Sequence, residues 1–242
     1  MRILGIDTST RIASVALTQN GELIAEEIHS PRGSASHPNH AEVLLPLIDA
    51  VLRKSEASLS EVSGLAVSIG PGSFTGLRIG LSAVKGLAYG LGIPVVGIST
   101  LLANAARVDD CDGLICSFFD ARENEVYAAL FRRCGPSLTR LTEDKAAGAV
   151  EVIETIASLA GDAPCLFVGD GSKAHEDLLL DQFGNKALLK TGDSYASLAS
   201  AVARLGGGRL QEADGARAAS LVPVYLRSSV LQRPTLTKKN SG

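Results

Sequence analysis

The chain has 242 residues, of which 45% are hydrophobic and 20% charged, and its net charge is −3. That size suits one compact body or two lobes of roughly 100 residues each, and the composition excludes a disordered or fibrous protein. Lysine and arginine are scattered apart from short pairs such as Arg132-Arg133 and Lys238-Lys239, so no broad phosphate-neutralising surface is expected and contact with nucleic acid should be indirect.

No apolar run reaches the ~20 residues of a membrane span, and residues 1–7 show no signal-peptide core. A cytoplasmic location with no membrane contact is the expectation. Cys111, Cys116, Cys134 and Cys165 show no C-x-x-C spacing and read as reduced thiols.

In chain order, residues 2–6, 12–17 and 22–28 read as three strands, with Asn20-Gly21 marking a tight turn between the last two. A helix over about 40–54, a buried strand at 65–69, a Gly-rich turn, a helix over 75–91 and a strand at 95–98 follow. Hairpin-paired strands followed by helix-linked ones imply a mixed sheet with helices on its faces, as in the ribonuclease H-like fold. The second half opens in the same way. Ile3-Leu4-Gly5-Ile6-Asp7 followed by Val15-Ala16-Leu17 is echoed by Cys116-Ser117-Phe118-Phe119-Asp120 followed by Tyr127-Ala128-Ala129-Leu130. A third strand is expected at 138–141, helices at 150–160, 172–182 and 194–205, and a strand at 166–168. Two ordinary hairpins could give the echo by coincidence. A true repeat gives an α/β protein of duplicated ribonuclease H-like (actin-like ATPase, ASKHA) fold, two lobes with mixed sheets flanked by helices.

Residues 70–80, Gly-Pro-Gly-Ser-Phe-Thr-Gly-Leu-Arg-Ile-Gly, follow a strand and open a helix, where backbone N–H groups can hold an anion. Neither a Walker A loop nor a G-x-G-x-x-G fingerprint is present. At about 100° per residue, Gly76, Gly80, Ala83, Gly86 and Gly90 share one side of this helix, and Arg78, Ser82, Lys85 and Tyr89 another. Interior glycines each cost about 1 kcal/mol relative to alanine, so close approach of a neighbouring helix is expected to offset them. On the preceding helix, Val43, Leu44, Leu45, Leu47, Ile48, Val51 and Leu52 cover roughly 200°, wider than a helix lying on one core requires. Part of that arc is expected to meet another subunit, against the alternative of a helix wedged inside its own domain.

Asp7-Thr8-Ser9-Thr10 ends the first strand, where actin-like enzymes place a metal-linked carboxylate. Ser9 stands where a glycine is usual, and Asp7 could instead bond nearby backbone amides. Asp7, Thr8 and Ser9 are therefore weak cofactor candidates. His37 and His40 flank Pro38, which argues against a helical ligand pair; His29 and His175 are isolated, and no metal or catalytic residue is assigned.

Together, Gly5-Ile6-Asp7-Thr8-Ser9-Thr10, His40 with Leu44-Leu45-Pro46, the 70–80 block, Asp120-Ala121-Arg122 with Glu125-Val126-Tyr127, and Pro223-Val224-Tyr225-Leu226-Arg227 resemble the TsaB (formerly YeaZ) family along most of the chain. The resemblance implies an N-terminal lobe of residues 1–105 rejoined by 215–230 through a helix-forming segment near 220–228, a C-terminal lobe of 106–214, and a flexible tail of 231–242. It implies a non-catalytic partner of a TsaD-like catalytic subunit, joined by a TsaE-like ATPase. That assembly transfers a threonylcarbamoyl group to N6 of adenosine 37 in tRNAs reading codons that begin with A. The chain would have no cofactor of its own, with ATP or ADP and a metal only in the assembled complex, and tRNA would be met indirectly. The implied interface comprises His40, Leu44, Leu45, Ile48, Val51, Leu52, Gly76, Arg78, Ile79, Gly80, Ala83 and Gly86. A homodimer through the same face is the expectation for the chain alone. The competing reading is an independent actin-like kinase or glycoprotease-type enzyme.

Overall fold

The computed structural model describes residues 1–31, 39–190, 197–212 and 220–226. Three antiparallel strands open it, β1 (Arg2–Asp7), β2 (Ala13–Gln19) and β3 (Glu22–His29). Asn20 and Gly21 take positive φ of 52° and 88° at the hairpin turn, as that turn requires. Next come α1 (His40–Lys54), β4 (Gly64–Gly70), α2 (Phe74–Leu91), β5 (Val95–Ser99) and α3 (Thr100–Ala106). The strands order as β3-β2-β1-β4-β5, with β4 parallel to both β1 and β5.

The second half repeats this plan. It contains β6 (Gly113–Asp120), β7 (Glu125–Cys134), β8 (Ser137–Arg140), β9 (Lys145–Gly148), α4 (Ala149–Ala160) and β10 (Cys165–Val168). Then follow α5 (Asp170–Ala174), α6 (Glu176–Phe183), β11 (Ala187–Lys190) and α7 (Ala199–Gln211). Its sheet runs β11-β10-β6-β7-β8, with β9 also on β7. Read from the other end, this is the first sheet's order with the same mixture of parallel and antiparallel pairs, so the sequence echo is a structural repeat.

The packing forms layers. Leu44, Ile48 and Val51 of α1 and Leu81, Val84 and Ala88 of α2 cover one face of the first sheet over Leu4, Ile6, Val15 and Val67. On its other face lie α7 and Ala103 of α3, while Leu101 and Ala105 on the opposite side of α3 pack on the second sheet. Helices α4 and α6 close the far side of that sheet.

Several expectations are corrected here. Helix α7, placed by sequence in the C-terminal lobe, lies on the first sheet because small residues permit close approach: a Cβ on Gly5 would sit 2.3 Å from the Ala199 carbonyl oxygen, and one on Gly206 would sit 2.3 Å from Ala66 Cβ. Described residues of α7 begin later than the expected start at 194, which lies outside the described residues. The expected helix over 172–182 is broken at His175 into α5 and α6. Segment 220–226 does return to the first lobe, but residues 221–226 form no helix. Pro223 lacks the N–H a helix needs, Val224 N–H donates to the Ile69 carbonyl at 2.7 Å, and Leu221 joins the core beneath α1 and α2. Residues 227–230 and the tail expected at 231–242 lie outside the described residues.

Candidate functional site

Where β1 ends, Asp7 is wholly enclosed, at 0% exposure. Its Oδ1 accepts the Ser9 hydroxyl at 2.5 Å and the Ser9 N–H at 3.2 Å. Burial raises the Asp7 pKa above the usual carboxylate range, with the bonds from Ser9 acting in the opposite direction. Charge of the opposite sign comes from Arg107, just past α3, which faces Asp7 and Glu26; burial lowers its pKa to about 10 against the pull of those two carboxylates. Its Nη1 donates to the Ser197 carbonyl, tying the end of α3 to the approach to α7.

The turn is also locked from above. Thr8 Oγ1 donates to the Gly76 carbonyl at 2.8 Å, and Ser73 N–H donates to the Ser9 carbonyl at 2.7 Å. A metal-linked phosphate needs a carboxylate open to the cleft between lobes. Thr8, Ser9 and Asp7 Oδ1 are committed to internal bonds. Asp7 Oδ2 is buried with no hydrogen-bond partner among the described residues, but with the carboxylate wholly enclosed these residues, as placed, offer no open ligand to such a group. Among the described residues, no set of three or more His, Cys, Asp or Glu side chains is placed to hold a metal; His37 lies outside them.

This locking explains half of the glycine stripe. A Cβ on Gly76 would stand 2.0 Å from the Thr8 carbonyl oxygen, and one on Gly80 would stand 2.4 Å from Thr8 Oγ1. Gly76 and Gly80 thus let α2 lie on its own β1 turn rather than on another subunit, whereas Gly86 and Gly90 face open space. The wide apolar arc of α1 divides similarly. Leu44, Ile48 and Val51 are spent in the core, and Leu52 packs partly against it. His40 is buried, with Nε2 3.0 Å from the Thr10 carbonyl oxygen. Leu45, at 59% exposure, points outward.

Between the outer sides of the two helices runs a groove of about 560 Å³, lined chiefly by Leu44, Leu45, Phe74, Arg78, Ile79 and Ala83. The exposed side of α2 is therefore the one through Thr75, Arg78, Ser82 and Tyr89. At one end, segment 220–226 forms a strap: the Tyr225 ring lies 4.9 Å from that of Phe74, and Arg78 Nε donates to the Tyr225 hydroxyl at 2.9 Å. Phe74 and Tyr225 are legible in the motifs as residues but not as neighbours, since 150 positions separate them in the chain.

The fold and this groove define a class: a duplicated ribonuclease H-like, actin-like protein whose first-strand carboxylate is closed and whose two long N-terminal helices present an apolar face. Residues 22–232 match the family model described as TsaD: tRNA N6-adenosine threonylcarbamoyltransferase. The chain is 33% identical over 227 residues to the tRNA threonylcarbamoyladenosine biosynthesis protein TsaB of Bacillus subtilis (strain 168), covering 94% of both chains. It is 34% identical over 235 residues to the protein of the same name from Escherichia coli (strain K12), covering 95% of this chain and 96% of the relative. The structure of YeaZ from Pseudomonas aeruginosa superposes with a TM-score of 0.77 at 28% identity, covering 93% of this chain and 99% of that one. A ROK hexokinase from Thermus thermophilus, with a TM-score of 0.50 at 11% identity over 88% of this chain and all of the hexokinase, shares the fold alone. The chain belongs to the TsaB family, within the wider group that the TsaD model describes.

Proposed function

We propose that this chain is a non-catalytic scaffold and activating subunit in the biosynthesis of tRNA threonylcarbamoyladenosine. It docks a TsaD-like catalytic subunit on the α1/α2 groove, and a TsaE-like ATPase joins the pair. The assembly transfers a threonylcarbamoyl group to N6 of adenosine 37 in tRNAs reading codons that begin with A. This chain reaches tRNA only through its partners, and ATP or ADP and a metal belong to the assembled complex. Kinship with the TsaB proteins supports the pathway. The observation that carries the docking role is the groove itself: Leu45 and Phe74 are large apolar side chains held outward on ordered helices, a feature that marks interaction surfaces. Enclosure of Asp7 supports the absence of chemistry in this chain.

Size exclusion of the chain mixed with a TsaD-type subunit from the same organism tests the reading. One heterodimer peak is expected, and Leu45→Glu should return two separate peaks with the melting temperature of this subunit unchanged; separate peaks for the wild-type mixture at micromolar concentrations would overturn the proposal. A homodimer of the isolated chain should compete with the heterodimer, because both would use the same face. Calorimetry with ATP and Mg²⁺ on the chain alone should give no binding heat, whereas tight binding would favour the independent kinase reading.

A further inference from the structure

The groove contains a single charged lining residue, Arg78, and its guanidinium is held in place. Cζ stacks 3.9 Å from the Phe74 ring centroid, and Nε is used by the Tyr225 hydroxyl. No carboxylate among the described residues pairs with it. The side chain is exposed, its stem fixed and its two terminal nitrogens directed to no acceptor among the described residues. A planar fork fixed in this way is suited to end-on, bidentate recognition of a carboxylate.

Docking makes that suitability a requirement. A subunit that covers Leu45, Phe74 and Ile79 also removes water from Arg78, and a desolvated guanidinium without a counter-ion is strongly unfavourable. Whatever closes this groove must therefore bring negative charge to Arg78. We infer that Arg78, positioned by Phe74 and Tyr225, is a receptor for an Asp or Glu side chain that the TsaD-like subunit inserts among its apolar contacts. The C-terminal strap is then part of the recognition surface, because Tyr225 sets the direction of the fork. This inference rests on the docking role proposed above and adds to it the chemistry that selects the partner. An arginine stacked on aromatics and ringed by apolar side chains also has the composition of an interface hot spot.

The test uses the full chain and the TsaD-type subunit, with affinity measured by calorimetry at two salt concentrations. Arg78→Met should weaken binding about 30-fold or more and flatten its salt dependence, while the exposed position leaves the melting temperature of the free chain unchanged. Arg78→Lys, which keeps the charge without the fork, should fall between the two. Tyr225→Phe should lose a few-fold, as expected for a positioning residue. An Asp→Asn and Glu→Gln scan of the partner should then find one acid whose replacement adds nothing to Arg78→Met, and Arg78→Glu should be rescued by changing that acid to Arg. If wild type binds and Arg78→Met binds within twofold of it, or if no acid couples to Arg78, the inference is overturned and the docking role survives. If wild type forms no complex, the docking role itself falls.

Discussion

The two repeats share one strand order but diverge in the crossover between their last two strands, β4 to β5 in the first and β10 to β11 in the second. In the first repeat, the crossover is α2, an 18-residue helix capped by the Ser73 side chain and closed by Gly92 at φ 66°. In the second, it is two pieces, α5 with 5 residues and α6 with 8, parted at His175, whose ring packs edge-on to Phe118 at 6.1 Å. The turns after the leading strands also differ. Asp7 is enclosed, whereas Asp120 is exposed and its Oδ1 accepts the Arg122 N–H at 3.1 Å, ahead of three consecutive left-handed residues, Arg122, Glu123 and Asn124. The repeat supplies two equivalent sheets, and among the described residues only in the first do paired long helices lie side by side with an apolar groove between them. The specialised surface arises from helix length and from how α2 meets the β1 turn.

The largest effect should come from breaking that meeting. Gly76→Val puts side-chain atoms against the Thr8 backbone, where even a Cβ would lie 2.0 Å from the carbonyl oxygen, so neither a rotamer change nor a small shift relieves it. A loss of about 4 kcal/mol or more in urea unfolding, or failure to accumulate soluble protein, is expected. A variant of wild-type stability would mean that α2 does not rest on the turn.

The next effect distinguishes one folding unit from two. Phe167, at 0% exposure in the second core, packs at 5.1 Å from Phe183 and 6.0 Å from Phe118. Phe167→Ala should cost about 3–5 kcal/mol. Because α3 packs on both sheets, and α7 on the first with Arg107 tying the two helices' ends together, the loss should appear in a single transition for the whole chain. Two separated transitions, with the first repeat unmoved, would show that the shared layer does not couple the lobes.

How far a sequence carries such a picture depends on how local each element's cause is. The periodicity predicts helix α1 over 40–54 and the structure has it at His40–Lys54, because an amphipathic period with a basic last turn is local information. The β1 to β3 meander is legible for the same reason. Helix α3 is not, since five of its seven residues are buried and the other two half-buried, packed toward both sheets, and so show no wet face. Likewise, a helical wheel separates Gly76 and Gly80 from Arg78 and Ser82 but does not say which side faces the protein's own strand. Small residues permit close approach, which on sequence alone points the glycine side at a partner; the neighbour that approaches is the Thr8 turn. Segment 220–226 misleads through apolar spacing, when Pro223 and the partner offered to Val224 N–H by Ile69 decide its conformation.

A smaller effect concerns the closed carboxylate. Burial raises the folded-state pKa of Asp7 above its ordinary value of 3.8, so the folded chain binds that proton more tightly than the unfolded chain. The contribution to stability is full below the ordinary value and declines as pH rises through the window up to the folded pKa, at about 1.4 kcal/mol per unit of displacement. Asp7→Asn is neutral throughout, so wild-type stability minus that of the variant should fall with rising pH from about 3.8. Chemical denaturation at a series of pH values measures it. A difference that instead rises with pH would mean that the bonds from Ser9 and the nearby positive charge outweigh burial and that the carboxylate is held charged.

The smallest change probes where the groove ends along α2. Gly86 lies in the helix interior, and a Cβ added there would meet nothing within 4 Å, so Gly86→Ala should stabilise the free chain by about 0.5–1 kcal/mol through helix propensity and a less flexible unfolded state. The family resemblance places Gly86 at a partner interface, and the two roles separate cleanly in a pair of substitutions. Gly86→Leu adds bulk that the free chain tolerates but a closely packed partner helix does not. If the Leu variant weakens the heterodimer while the isolated subunit remains stable, the docking face continues past Ala83 toward Tyr89, which is 91% exposed. If affinity is unchanged, contact stops within about the first three turns of α2, and the apolar anchors together with Arg78 must supply the whole of the recognition on this helix.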